Sequence, residues 1–239
     1  MSVERDVTAI LTSGNGILKG SGTGNFRAGS SLLRRDFATR VEPLCWDAVT
    51  TVNLAANTIE TRAVAAGTPG VNSVYIGNET EVAAGGQLPD PPGFIFSDFF
   101  SGCLFFLFRD AQSVYGVHSY RSSGTYANPI PYFERLGARL LYFYNTGGVF
   151  TAAKYPAQTF GSVLVYVSPN KITIDFCATQ QGGRVLGVED HVRIDGWRAA
   201  PGIPDPMFAG ALGPWTAPVV APAAAGRKKR VAQFFLKYM

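Results

Sequence analysis

Histidine and cysteine are scarce in this 239-residue chain: His118 and His191 are the two of the first kind, and Cys45, Cys103 and Cys177 the three of the second. An odd number of widely spaced cysteines allows at most one disulfide, so a disulfide-stapled scaffold is excluded and a reducing compartment is the simpler expectation. No two of these five residues stand in a C-x-x-C or H-x-x-x-H relation, which excludes a structural zinc site of the usual spacing, and neither a metal nor a cofactor is assigned. Charge is thin as well, at 16% of residues, while 46% are hydrophobic and 13% aromatic, a balance that excludes intrinsic disorder. Long apolar runs are missing too. The longest, GCLFFLF, has seven residues, against the roughly 20 that span a bilayer, and MSVERDVTAI lacks the apolar core of a secretory signal. No transmembrane segment and no Sec export are expected.

What is present is a chain long enough for one large domain with a sizeable core. Its net charge of +4 is concentrated in Arg227, Lys228, Lys229 and Arg230, which follow the linker-like APVVAPAAAG. A solvated basic segment is the plain reading of such a run, and a contact surface for an acidic partner or lipid headgroups the sharper one; nucleic acid is not expected as a partner. Short β-rich stretches separated by Gly, Pro, Asn and Asp predict strands over 104–109, 114–120, 138–145, 162–168, 171–178 and 191–195, with VAQFFLKYM as a closing strand after the basic segment at 217–230. NPIPYFERLGA is the best helix, opened near Pro131 and stopped by Gly137. The expected fold is mainly β with a few helices (α+β), a β-sandwich-like core flanked by short helices and long loops, in a single domain over 1–239.

Chemistry concentrates in FSGCLFFLFRDAQSVYGVHSY, residues 100–120. If the strands on either side of DAQS pair through that turn, residues whose numbers sum to 223 stand opposite each other. Tyr120 then faces Cys103, and His118 lies on the same face, diagonal to the thiol. An imidazole beside a thiol favours a thiolate and imidazolium pair, the nucleophile of acyl-transfer enzymes, and the imidazolium then protonates the leaving amine. Gly102 lets substrate approach the backbone, and amides near Cys103 would form an oxyanion hole. Two other readings compete. Cys103, flanked by Leu104, Phe105 and Phe106, also fits a core residue. Cys177 and His191, with Asp190 adjacent, form a second Cys-His pair, though FCA reads as strand interior.

The run S-G-C with His fifteen residues later, approached by V-Y-G-V-H, resembles the catalytic segment of the cytotoxic necrotizing factor family of bacterial toxin deamidases. ILKGSG at 17–22, HVRIDG at 191–196 and the terminal FFLKYM are similar to segments of those catalytic domains and occur in the same order. The resemblance implies a β-sandwich with flanking helices and a cysteine-dependent hydrolysis of a glutamine side chain in host Rho-family GTPases, with transamidation as a side reaction when an amine replaces water. It implies a monomeric bacterial protein, secreted or injected, acting in the host cytosol. It makes Cys103 the nucleophile and His118 the base, gives Ser101 a part in shaping the site, and points to a main-chain carbonyl of Ala63 or Val64, in TIETRAVAAG, as the group that orients the histidine. Phe100 departs from the family's leucine at that position. The loops AAGTPGVNS and SSGTYANP are expected to frame the site for a folded partner. A Cys-His protease or acyltransferase, and a non-enzymatic β-rich structural or capsid-like protein, are the competing functions.

Overall fold

The structure, a computed structural model, describes residues 2–21, 41–42, 45–65, 67–78, 82–88, 90–121 and 126–204. Within them the chain runs α1 (Val3–Leu11), β1 (Ile17–Ser21), β2 (Val41–Glu42), β3 (Cys45–Asn53), β4 (Thr58–Ala63), β5 (Ser73–Ile76), β6 (Ala83–Gln87), β7 (Gly93–Phe100), β8 (Leu104–Arg109), β9 (Val114–Ser119), α2 (Ile130–Arg135), β10 (Arg139–Asn145), β11 (Thr159–Val167), β12 (Lys171–Gln180) and β13 (Val185–Asp195). The protein is mainly β. The predicted strands correspond to β8, β9, β10, β11, β12 and the second half of β13, while the closing strand and the basic segment lie outside the described residues.

One sheet has eight strands in the order β1-β4-β3-β5-β7-β11-β12-β13, the other five in the order β10-β8-β9-β6-β2. The eight-stranded sheet curls until its ends meet: Ile17 bridges Arg184, and the amide of Leu18 donates to the carbonyl of Gly183. On its outer face α1 buries Val7, Ile10 and Leu11, one helical stripe, against Leu18, Phe94, Phe96 and Cys177. On the other sheet α2 buries Phe133 against Phe106, Phe108 and Tyr115. Pro131 sits in the first turn of α2, where its missing N–H is no loss, and Gly137 follows the helix at φ +74°, so both punctuation marks act as expected.

Between the sheets lies a third cluster, drawn from Val74, Ile76, Ile95, Val163, Val165 and Phe176 on one side and Phe105, Leu107 and Leu141 on the other. The run LFFLF at 104–108 is apolar at every position because β8 is buried on both faces there, Phe105 and Leu107 in this cluster and Leu104, Phe106 and Phe108 in the one under α2. The β8–β9 register pairs Leu104 with Ser119 and Phe105 with His118, so each pair sums to 223 as the turn predicts. Asp110 fixes that turn by accepting the amides of Gln112 and Ser113 at 2.8 and 2.6 Å.

The two sheets approach closely where β9 crosses β5 and β7. A Cβ at Gly116 would lie 2.6 Å from Ile76 Cδ1 and 2.6 Å from Ile95 Cγ2, and one at its register partner Gly86 would lie 2.7 Å from Val74 Cγ2. Only glycine fits. We expect Gly116→Ala to destabilise the fold by about 1–3 kcal/mol through overpacking, read as a lowered urea midpoint; an unchanged midpoint would show that the sheets are not held this close.

Candidate active site

His118 stands near the C-terminal end of β9, two residues beyond Gly116 on the face that looks into the inter-sheet core. It is 1% exposed. Because glycine lets the sheets close, its Nδ1 comes within 3.0 Å of Ser97 Oγ on β7, across the gap between the sheets. Ser97 is fully buried and its hydroxyl donates to the carbonyl of Ile76, its register partner on β5, at 3.0 Å. With its proton directed to that carbonyl, Ser97 Oγ accepts from Nδ1–H, which leaves Nε2 as the unprotonated nitrogen. Nε2 is buried with no hydrogen-bond partner among the described residues.

A β-bulge shapes the other side of the imidazole. Along β7 the register jumps from Ser97 opposite Val163 to Phe100 opposite Gly161, so β7 carries one extra residue. Phe99 takes up the irregularity at φ +61°. Without the bulge, alternation would turn Phe99 inward with Ile95 and Ser97; with it, Phe100 faces inward instead. Its ring stacks on His118 with centroids 3.7 Å apart and planes 7° from parallel. Phe100 is thus a wall of the site.

The segment then turns through Ser101 and Gly102, the latter at φ +130°, a conformation that favours glycine. Thr146, buried after β10, holds the turn: its Oγ1 donates to the Cys103 carbonyl at 2.6 Å and accepts the Gly102 amide at 3.0 Å, while its own amide donates to the Cys103 carbonyl at 3.2 Å. Cys103 is partly exposed and packs against the inter-sheet core. The amides directed at its sulfur are those of Arg121 and Ser101. The Gly102 amide, one candidate for an oxyanion hole, is occupied by Thr146.

Burial sets the electrostatics. It pushes the Cys103 thiol above its ordinary value, partly offset by the Arg121 and Ser101 amides, and pulls His118 down from 6.5 to about 3. The expected thiolate and imidazolium pair is therefore not the resting state: both shifts favour the neutral forms, and no hydrogen bond joins the Cys103 sulfur to Nε2.

Ala63 and Val64 are placed elsewhere. Ala63 ends β4, separated from β7 by β3 and β5, roughly 14 Å at the usual strand spacing. The Val64 amide binds the Asp47 carbonyl, and the group that holds His118 Nδ1 is Ser97. The loop that runs into Ser73 adjoins the beginning of β7, at the opposite end from Cys103, so AAGTPGVNS does not frame this site. Cys177 and His191 form no couple. Cys177 is fully buried under α1, with its thiol raised well above the ordinary range by burial and by Asp175, whereas His191 Nδ1 pairs with Asp175 at 2.7 Å. Asp190 accepts from the Tyr142 hydroxyl at 2.6 Å. Ser97, Thr146 and the Ile76 carbonyl were missed from the sequence; a lone serine within the apolar GFIFSDFF was the available signal.

No protein-family model matches the chain, and no curated protein matches it. Its likeness to the necrotizing factor toxins rests on the motif residues alone. Among the described residues no group of three or more His, Cys, Asp or Glu is arranged to hold a metal ion, and no helix is long and apolar enough to cross a membrane.

Two desolvated groups oppose each other in pH dependence. Unfolded His118 gains a proton below about 6.5 and folded His118 only near 3, so its stabilising contribution is present above 6.5 and is lost as pH falls, by at most about 1.4 kcal/mol per pH unit. Asp98, partly buried and raised by desolvation from 3.8 to about 7, runs the other way and favours the fold as pH falls below 7. Relative to wild type, His118→Gln is expected to gain stability between pH 6.5 and 4.5 and Asp98→Asn to lose it. Urea unfolding of the three proteins checks this; parallel pH slopes would contradict the desolvation of both groups.

Proposed function

We propose that this protein is a glutamine deamidase of the toxin type, with Cys103 as nucleophile and His118 as general base and acid, acting on host Rho-family GTPases. The observation that carries the reading is the bare, buried Nε2 of His118, fixed in that tautomer by Ser97 and Ile76 and facing the inter-sheet core against which Cys103, the residue just before β8, also packs. A histidine serving only as core filling has no need of an unpartnered nitrogen, since a buried polar atom left unpaired is destabilising. The two sheets with a shared core and a helix on each outer face support a β-sandwich reading of the fold, in one domain that acts as a monomer.

Chemistry starts from the neutral couple. As the Cys103 sulfur attacks the carboxamide carbon, its proton passes to Nε2, so charge develops during attack rather than beforehand. The Ser101 and Arg121 amides beside the sulfur offer donors to the negative charge that forms. The imidazolium then returns its proton to the amide nitrogen, the C–N bond breaks and ammonia leaves, giving a thioester on Cys103. Water, deprotonated by Nε2, attacks the thioester; the C–S bond breaks, the carboxylate departs and the thiol is restored. An amine in place of water gives the transamidated product. In a Rho-family GTPase the target is the glutamine that orients the water attacking the γ-phosphate, so a carboxylate there leaves the switch in its GTP-bound state.

Cys103→Ala and His118→Gln are each expected to keep the β-rich circular dichroism spectrum and to reduce ammonia release from a Rho-family GTPase to background. Ser97→Ala, which frees the ring and its tautomer, is expected to lower the rate by about tenfold or more. Full turnover by folded Cys103→Ala would remove the nucleophile. Chain cleavage of the GTPase without ammonia would favour the Cys-His protease, and a Cys103 that reacts with iodoacetamide only after unfolding would favour the structural protein.

A further inference from the structure

Phe99 is held in a conformation that its side chain does not favour. Its φ of +61° is disfavoured for a bulky L-residue, and its ring is 53% exposed. The bulge that aims Phe100 at His118 requires the left-handed conformation at residue 99, but glycine meets that requirement without strain and without an exposed ring. The bulge therefore explains the backbone and leaves the phenyl group unexplained. Strain that no buried contact requires is characteristic of residues retained for function.

The ring is also preorganised. It meets Phe160 of β11 edge-on, with centroids 5.6 Å apart, on the end of the eight-stranded sheet from which the Cys103 turn emerges. Cys103 lies four positions after Phe99, a span of at most about 14 Å of chain. A typical protein partner covers about 800 Å² per side, a disc roughly 16 Å in radius. Any folded protein that delivers a side chain to Cys103 thus reaches the Phe99 ring, whereas a small amide does not.

We propose that Phe99, backed by Phe160, is a specificity-determining residue whose ring receives an apolar side chain on the folded protein substrate beside the reactive glutamine. The inference rests on the deamidase reading. A rigid, partly exposed aromatic loses little conformational freedom on binding, which is why such side chains dominate interface energetics. The strained backbone keeps the ring in place on the segment that carries the nucleophile.

The test compares kcat/KM on a purified Rho-family GTPase with kcat/KM on the dipeptide carbobenzoxy-Gln-Gly, for wild type, Phe99→Gly and Phe160→Ala. Phe99→Gly retains the bulge, and Phe160→Ala leaves the backbone at 99 untouched, with melting temperature as the check on folding. The expected result is a GTPase-to-dipeptide ratio well above one in wild type that falls about tenfold in Phe99→Gly and by a smaller factor in Phe160→Ala, while the Phe99→Gly melting temperature does not fall. A ratio unchanged by Phe99→Gly, or a wild type with no preference for the protein, overturns the proposal and leaves the deamidase standing. Absence of ammonia from both substrates with wild type overturns the deamidase reading and this inference with it.

Discussion

The hydrogen bond between Ser97 and His118 joins two sheets, and it exists because glycine occupies position 116. At that crossing the side chains of Ile76 and Ile95 fill the space a Cβ would take, so β9 lies closer to β5 and β7 than ordinary sheet packing permits. One residue pair further along, the same proximity brings an imidazole on one sheet to a hydroxyl on the other. The Ile76 carbonyl then sets the direction of the serine proton, and through it the tautomer of the histidine. A main-chain group thus governs the histidine at one remove, through a serine rather than by direct contact.

The bulge in β7 supplies the second half of the arrangement. It reverses the facing of one residue, so that Phe100 covers the imidazole and the chain leaves the sheet through Ser101 and Gly102 with Cys103 close behind. Burial of the ring lowers the basicity of Nε2, and burial of the thiol raises its pKa. Both effects hold the couple in its neutral form at rest. A site of this kind gains its reactivity when the substrate carboxamide enters and takes up the proton that the thiol gives up. Thr146, bonded to the Gly102 amide and the Cys103 carbonyl, holds the turn that carries Cys103 in place.

The hairpin was legible in the sequence because its constraints are local. A short turn closed by Asp110, apolar strands on both sides and period-two alternation are enough to set the register that puts Phe105 opposite His118, and α2 was marked by its proline and glycine. Ser97 was not legible. Its contact with His118 joins strands in different sheets, and the alternation that would have signalled its direction is interrupted one residue later by the bulge. β6 was hidden in AAGGQ, whose residues have weak strand propensity; at Gly86 the opposing Val74 and Cys45 leave no room for a Cβ. Ala63 and Val64 were reached through likeness of sequence, and the sheet order β4-β3-β5-β7 separates them from the imidazole. The competing Cys177 looked plausible on spacing alone; only the sheet shows that Cys177 stands opposite Val188 while His191 stands opposite Asp175 and pairs with it.

The central claim is that Cys103 forms a thioester with a glutamine carbonyl through the agency of His118. Acid quenching of the enzyme during turnover of a glutamine substrate, followed by peptide mass spectrometry, tests it most directly. The account predicts an acyl adduct on the peptide that contains Cys103, discharged by hydroxylamine, absent from the Cys45 and Cys177 peptides and absent in His118→Gln. An adduct on Cys177, or ammonia release with no adduct on Cys103 at any time point, would contradict it.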